Sequence, residues 1–427
     1  MMAIAIFITI LALLLLGIPV AFVFGSVAIV FAFFIPELGF GIFDILALRI
    51  YGIMSNSTLM AVPLFIAMGL ILEKSKMAER LLVSMSALFR DVRGGLAVSV
   101  VLVGAMLAAS TGIVSASVVM MSVIALPLML RAGYDKSLAS STIVASGTLG
   151  QIIPPSIILI ILGDVMSVGV GELFMGAVLP GALLVGLYIV YILIRSYLSP
   201  ELAPIPKEVK EVSIKEILLS IIPPLLLMFS VLGSIFAGIA SPTESAAFGV
   251  IGAIILSVIN KSLNFEMIKY ASLGSVKLSG MIFMILIAST AFSLVFNELG
   301  GTDAIVEFFH EDIGNVWFFI AISMLIIFVV GFFIDFIEIS FIIVPILVPV
   351  MIGFGIDPLW FAILIALNLQ ASFLTPPFGL ALFFLKGVAG DSVSTSEIYR
   401  GIVPFILLQL LALGLVIAFP ILVFAFV

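Results

Sequence analysis

The fold is decided by the stretch Gly147-Thr148-Leu149-Gly150-Gln151-Ile152-Ile153-Pro154-Pro155, whose Pro-Pro pair recurs 222 positions later as Pro376-Pro377. Further coincidences on the same offset are Pro127 with Pro349, Gly133 with Gly355, and Asp135 with Asp357. A shared Pro-Pro pair, Pro and Gly-x-Asp on one offset is improbable by chance. The chain is therefore predicted to be a duplication.

The composition predicts an integral membrane protein. Of the 427 residues 64% are hydrophobic and 10% are charged, whereas about a quarter of the residues of a soluble domain are charged. With no Cys and one His, the chain has no residues for a disulfide framework, a thiolate metal site or a Cys/His catalytic pair. It has no long basic run of the kind that binds nucleic acid. We therefore expect no enzyme activity, no cofactor and no nucleic-acid partner.

Stretches of about 20 apolar residues are long enough to cross a bilayer as helices, and ten are predicted. They lie near 3–17, 19–35, 51–72, 137–163, 173–194, 217–240, 245–260, 278–296, 358–385 and 401–425. Two further segments, 95–130 and 315–355, are too long for one span and are interrupted near their middle. Each is either two short crossings or one re-entrant hairpin, and both solutions return the chain to the side that it left.

Charge fixes the orientation of these spans. Basic residues collect in the segments 73–93, 131–136, 195–216 and 261–277, which the positive-inside rule places in the cytoplasm. Both chain termini then lie on the outer side. Span 137–163 runs outward while its counterpart 358–385 runs inward, so the two copies are inverted.

The predicted architecture is an all-α polytopic membrane protein in two inverted repeats, with about ten transmembrane helices and the two interrupted segments. The first repeat covers 1–198, a cytoplasmic linker covers 199–216 and the second repeat covers 217–427. Inverted repeats with interrupted helices are typical of secondary transporters, because exchanging the conformations of two similar halves carries a midplane site across the membrane.

The interruptions are the predicted binding regions. Glycines relax a helix and proline removes a hydrogen-bond donor, so carbonyl oxygens near 147–151 are freed and need a partner. Hydroxyls beside them complete an oxygen shell that suits sodium. The alternative, that small polar residues only let helices pack closely, stays open. Asp335 and Glu338 lie in an apolar segment, where a carboxylate is a functional hypothesis by default, and they also suit the cap of a hairpin tip.

Charge compensation for an anionic substrate is expected from helix ends, since neither interruption contains Arg or Lys. The half-helix expected to begin at Pro376 would direct unpaired amides and a partial positive charge into the gap. The residues expected to contact the substrate are Ser117, Gln151, Pro154, Glu338, Ser340, Gln370 and Pro376. Glu244, in Ser241-Pro242-Thr243-Glu244, is expected to cap the next helix rather than bind substrate.

The motifs resemble those of one family of proteins, and the likeness covers essentially the whole chain. They are Gly133-Tyr134-Asp135, Ile153-Pro154-Pro155-Ser156, Gly331 with Asp335, Gly355-Ile356-Asp357-Pro358, Asn368-Leu369 and Thr375-Pro376-Pro377-Phe378-Gly379. This pattern resembles the large membrane subunit of tripartite ATP-independent periplasmic (TRAP) transporters. The resemblance implies a sodium-driven elevator importer of an organic acid in the cytoplasmic membrane of a bacterium or archaeon.

The resemblance also implies partners and ion ligands. The partners are a small four-helix membrane subunit and a soluble periplasmic substrate-binding protein. The sodium ligands carried over are Ser110, Thr111, Gly112 and Ser115 with Gly147 and Thr148, and Asp335 with Asn368, Ser372 and Thr375. Competing hypotheses are a carboxylate transporter that works without a binding protein, a channel-like or structural subunit, and an intramembrane enzyme.

Overall fold

The fold is all-helical, as the sequence predicts. The computed structural model describes residues 2–34, 39–111, 114–205 and 212–427, and no strand occurs within these ranges. Seven of the described helices are long and apolar enough to cross a membrane by themselves, and shorter apolar helices accompany them. Large apolar side chains such as Phe22, Leu226 and Phe248 point outward, which suits helices in contact with lipid. The number of crossings stays a prediction.

Of the helices in the described residues, ten precede the linker and ten follow it. The ten before it are α1 Met2–Leu15, α2 Val20–Ala32, α3 Leu46–Met54, α4 Ala61–Lys74, α5 Met77–Leu88, α6 Gly95–Thr111, α7 Val114–Arg131, α8 Lys136–Thr148, α9 Ile157–Met166 and α10 Val170–Leu198. Short 3-10 turns lie at Gly39–Ile45, Leu149–Gln151 and Pro200–Leu202. Residues 206–211 of the predicted linker lie outside the described ranges.

The described helices after the linker are α11 Ile214–Phe236, α12 Pro242–Ile259, α13 Phe265–Glu298, α14 Gly301–Glu307, α15 Val316–Val330, α16 Phe336–Gly353, α17 Pro358–Leu374, α18 Leu380–Ala389, α19 Thr395–Ala418 and α20 Ile421–Phe424. A π-helical turn covers Phe308–Ile313, and a 3-10 turn covers Gly390–Ser392.

The element order repeats along the chain. Helix α7 shifted by 222 positions takes the bounds of α16, and α6, α8, α9 and α10 shift in the same way onto α15, α17, α18 and α19 within a few residues. Both interrupted segments, 95–130 and 315–355, consist of two helices separated by a short break.

The two copies exchange contacts reciprocally. Helix α9 packs against α16 while α18 packs against α7, and α4 packs against α12 while α13 packs against α2. Exchange of this kind is what a two-fold relation between similar units produces. The first residues of α7, α9, α16 and α18 are thereby brought to one region at the centre of the molecule.

Two local predictions have clear outcomes. The cap assigned to Glu244 is confirmed: its Oε2 accepts hydrogen bonds from the backbone amide (2.8 Å) and hydroxyl (2.7 Å) of Ser241. The span predicted at 278–296 is too short, because α13 begins at Phe265 after Asn264, whose side chain accepts from the Met267 amide. The cytoplasmic location of the basic segment 261–277 stays a prediction.

Candidate functional site

Both predicted broken helices are broken, although their boundaries differ from expectation. Helix α8 continues through Thr148, so the break lies at 149–156 rather than at 147–151. In the second copy α17 continues through Leu374, and the half-helix expected at Pro376 begins at Leu380 instead. The reason is that Pro376, Pro377 and Phe378 form a turn, in which the Gly379 amide donates to Thr375 O (3.0 Å). The Pro154–Pro155 and Pro376–Pro377 peptide bonds are both cis.

The second hairpin tip, the turn between α15 and α16, is ordered by a capping box. Asp335 is the N-cap of α16, and its Oδ1 accepts from the Phe336 amide at 2.6 Å. Glu338 Oε2 reaches back to the Asp335 amide at 3.0 Å. Both roles that the sequence left open for Asp335 are therefore compatible, since the carboxylate that caps the helix also lines a cavity at the tip.

The same tip is seated on α17. A Cβ added to Gly331 would overlap the Ser372 hydroxyl, so only glycine permits this approach. Asn368, which is buried, donates from Nδ2 to Met324 O of α15 at 2.7 Å. The hydroxyls of Ser372 and Thr375 bond back to Leu369 O and Ala371 O of their own helix, at 2.8 Å each. The structure thus brings hairpin and broken helix together around the predicted second ion group.

The first hairpin is seated on α8 in a similar way. Added Cβ atoms at Gly104 and Gly147 would lie 2.5 Å from Ser146 Cβ and 2.6 Å from Val118 Cγ2 respectively. Thr148 is fully buried and donates to Ala145 O at 2.9 Å. Of the other residues predicted here, Gly112 lies outside the described residues, and the side chains of Ser110 and Thr111 also fall outside the description.

Two buried glutamines beside the breaks have unused hydrogen-bonding capacity. Gln151 is 1% exposed and Gln370 is 0% exposed. Within the described part of the chain, neither amide group has a hydrogen-bond partner. Buried amides in native proteins are nearly always paired, so these side chains are available for a ligand or for water.

A cavity of about 100 Å³ lies between the start of α7 and the start of α16, and we call it the tip cavity. It is lined by Ile66, Val114, Ser115, Ile157, Leu278, Met281, Ile282, Asp335, Phe336, Ile337, Phe373, Leu380 and Phe384. Four of these are the first residues of α7, α9, α16 and α18. The start of a helix carries unpaired amides and a partial positive charge. Because Asp335 already caps the start of α16, the other three ends are the ones that favour an anion without a basic side chain.

The remaining predicted residues are not among the described lining residues of the tip cavity. Ser340 is buried and donates to Phe336 O at 2.8 Å, while Ser117 is buried and has an interaction partner. Pro154 faces a separate apolar cavity of about 230 Å³ between α4, α5, α6 and α11. Pro376 is half-buried in its turn.

Sequence reasoning missed the contribution of α13 and of Phe384 to the tip cavity. Phe384 is one helical turn beyond Leu380, so both face the same side at the start of α18. That spacing is visible in the sequence once the start of α18 is known. The contribution of α13 depends on packing between the two copies and has no local signal.

Comparison with known proteins decides the family. Residues 7–422 match the family model described as the DctM component of tripartite ATP-independent periplasmic transporters. The chain belongs to this family. It is therefore a transporter permease subunit and not an enzyme.

Named relatives of this permease differ in substrate. It is 30% identical to the C4-dicarboxylate TRAP transporter large permease protein DctM of Rhodobacter capsulatus, over 98% of this chain and 97% of the relative. It is 30% identical to the ectoine TRAP transporter large permease protein TeaC of Halomonas elongata, over 96% of each chain. It is 28% identical to the sialic acid TRAP transporter large permease protein SiaM of Vibrio cholerae, over 96% of this chain and 95% of the relative.

Solved structures support the fold. The permease superposes on the YdaH transporter of Alcanivorax borkumensis with a TM-score of 0.61 at 16% identity, covering 89% of both chains. It superposes on MtrF of Neisseria gonorrhoeae with a TM-score of 0.59 at 14% identity, covering 87% of this chain and 82% of the other. At such identities the likeness concerns the fold alone.

Proposed function

We propose that this permease is the transporting subunit of a sodium-coupled, binding-protein-dependent secondary importer of organic acids. The observation that carries the proposal is the convergence of four helix starts, two from each copy, on the tip cavity. Among its described lining residues there is no Lys or Arg. An anion held there is therefore stabilised by helix amides and by bound cations rather than by a salt bridge.

Sodium has a specific role in this arrangement. Asp335 lines the same cavity, and its charge would repel a carboxylate unless a cation lies between them. The proposed sodium ligands are oxygen-bearing groups in each copy. They are Ser115 with Gly147 and Thr148 in the first copy, and Asp335 with Asn368, Ser372 and Thr375 in the second. Sodium bound first would convert a repulsive cavity into an attractive one, which is the thermodynamic basis of coupling.

Transport requires the site to face each side in turn. We propose that the two hairpins and the two broken helices move together against a scaffold that includes α2, α4, α12 and α13. The reciprocal packing of α4 on α12 and α13 on α2 supports this division, because it joins the scaffold helices of the two copies directly. Inverted repeats then supply two similar end states of opposite sidedness.

The complex has two further components in this proposal. Relatives carry the name of a large permease protein in a TRAP transporter, which favours a small membrane subunit as a separate chain. A periplasmic binding protein would deliver the substrate to the outer face of the cytoplasmic membrane, where both termini of the chain are predicted to lie.

Uptake by proteoliposomes tests the proposal. The vesicles contain the permease and its small subunit, with an inward sodium gradient and the cognate binding protein present or absent in a two-by-two design. We expect radiolabelled organic-acid uptake only when both are present. Uptake without the binding protein would instead identify an independent carboxylate transporter, and flux indifferent to the gradient would indicate a channel-like subunit.

The sodium site is tested by a matched pair of variants. Asp335→Asn should raise the sodium concentration for half-maximal uptake about tenfold or more, because a charged ligand is lost. Asp391→Asn, at an exposed position after α18, should leave it unchanged. An equal response of the two variants would remove Asp335 from the site.

A further inference from the structure

The walls of the tip cavity are predominantly apolar. Among the lining residues that the structure describes, only Ser115 and Asp335 carry polar side chains. Phenylalanine rings enter from three different elements, Phe336 of α16, Phe373 of α17 and Phe384 of α18. The Phe336 and Phe373 ring centroids lie 6.3 Å apart, and both side chains are at most 5% exposed. The cavity thus offers polar contacts for one small group and apolar contacts for the rest of a ligand.

The size of the cavity limits the ligand further. A cavity of about 150 Å³ holds a benzene-sized molecule, whereas the tip cavity has about 100 Å³. Pockets for large organic ligands have about 300–1,000 Å³. The space therefore fits an acid of roughly four to six non-hydrogen atoms.

We infer that the transported anion is a short aliphatic monocarboxylate with an apolar body. This inference rests on the proposed function and adds the substrate class to it. The carboxylate lies at the starts of α7, α9 and α18, and the hydrocarbon body contacts Phe336, Phe373 and Phe384. A hydroxyl-rich acid would bury hydroxyls against these rings without hydrogen-bond partners, and a dicarboxylate would bury a second charge.

Two acids of equal size test the inference most directly. Isobutyrate and lactate differ by the exchange of a methyl group for a hydroxyl, and malonate adds a second carboxylate to a body of similar length. Thermal stabilisation of the purified permease with its small subunit is measured in sodium and in potassium against the concentration of each acid. We expect isobutyrate to stabilise the complex in sodium at about tenfold lower concentration than lactate or malonate.

Substitutions of two neighbouring phenylalanines, Phe384 and Phe383, test whether the cavity wall produces the preference for isobutyrate over lactate. Phe384→Ser should reduce the preference for isobutyrate over lactate about tenfold, and Phe384→Leu should retain most of it. Phe383→Ser is the control, because Phe383 lies on the same helix, is 51% exposed and does not line the cavity. A loss of preference in Phe383→Ser equal to that in Phe384→Ser would overturn the assignment.

The outcomes separate this inference from the proposed function. Sodium-dependent stabilisation by lactate or malonate at concentrations equal to or below that of isobutyrate overturns the substrate class and leaves the sodium-coupled transporter intact. If none of the acids, including gluconate and succinate as larger probes, stabilises the complex in sodium, both the class and the proposed function fail.

Discussion

The two Pro-Pro breaks share a motif but differ in exposure. In the first copy, Ser156 follows the proline pair, is fully buried and donates to Gln151 O at 2.8 Å. At the matching position of the second copy Phe378 is 46% exposed, and the preceding Pro377 is exposed as well. At matching positions the two breaks have only the Pro-Pro pair in common, so the difference in exposure follows from the surrounding residues as well as from the conformation. The first break is closed and the second is open.

This difference is what an alternating transporter built from two related copies needs. One conformation with a buried first break and an open second break has a counterpart with the roles exchanged. The packing of the two hairpins against α8 and α17 does not differ in this way, because each contact depends on a glycine that has no room for a side chain. We therefore expect the packing of the hairpins against α8 and α17 to be required in every state, and the exposure of the two breaks to change between states.

The largest effect is expected at the glycines that seat the tips. Gly331→Ala and Gly147→Ala place a methyl group against Ser372 and Val118 respectively, and overpacking of this kind costs about 1–3 kcal/mol. Uptake should fall about tenfold or more in both, measured in proteoliposomes at equal amounts of folded protein. Gly186→Ala, with open space around its Cβ, is the control. Normal uptake by either seat variant would show that its tip is not tightly seated during transport.

The contrast between the breaks can be measured directly, because the chain contains no Cys. Ser156→Cys and Phe378→Cys place single thiols at equivalent positions. We expect a water-soluble maleimide to label position 378 about tenfold or more faster than position 156, since the opposite state is a minor population. Ser396→Cys, at an exposed position, provides the reference rate. Equal rates at the two breaks would mean that they are not held in different states.

A hydrogen bond of the first copy links α9, the half-helix that follows the closed first break, to the loop before α4. Asn56 Nδ2, in the loop before α4, donates to Asp164 Oδ1 of α9 at 2.5 Å. At the position matching Asp164 the second copy has Lys386, which bonds to Gly390 O and Val393 O close by in the chain. Among the described residues, this bond joins the first half-helix to the loop before α4, and the matching Lys386 of the second half-helix bonds only to nearby carbonyl groups of its own copy.

Removal of this hydrogen bond should open the first break. Asp164→Ala deletes the bond while Asn56 Oδ1 keeps its bonds to the Thr58 and Leu59 amides. Because a hydrogen bond to a charged group contributes about 1.5–3 kcal/mol, labelling of Ser156→Cys should accelerate about tenfold. Labelling of Ser396→Cys should not change. If the rate at position 156 stayed the same, the bond would not restrain the closed break.

The sequence predicted the elements of this comparison but not the contrast itself. Paired prolines and polar residues in apolar segments identified both breaks and both hairpins, because such residues interrupt helices wherever they occur. The cap at Asn264, which extends α13 beyond the predicted span, was not recognised. Ser156 and Phe378 are different residues at matching positions of the repeat, but the difference in their exposure depends on packing, which the sequence does not show. The tip cavity likewise depends on contacts between residues hundreds of positions apart.

The smallest effect is expected at the open break. Tyr399 of α19 donates its hydroxyl hydrogen bond to Pro377 O at 2.7 Å, and the matching position of the first copy is Ala177, which has no such group. Tyr399→Phe removes one hydrogen bond at an exposed site, worth about 0.5–1.5 kcal/mol. The rate at which the maleimide labels Phe378→Cys should therefore change by about two- to tenfold, while the labelling rate of Ser156→Cys should stay the same. A change at position 156 of the same size would mean that the two breaks are coupled through α19 rather than controlled separately.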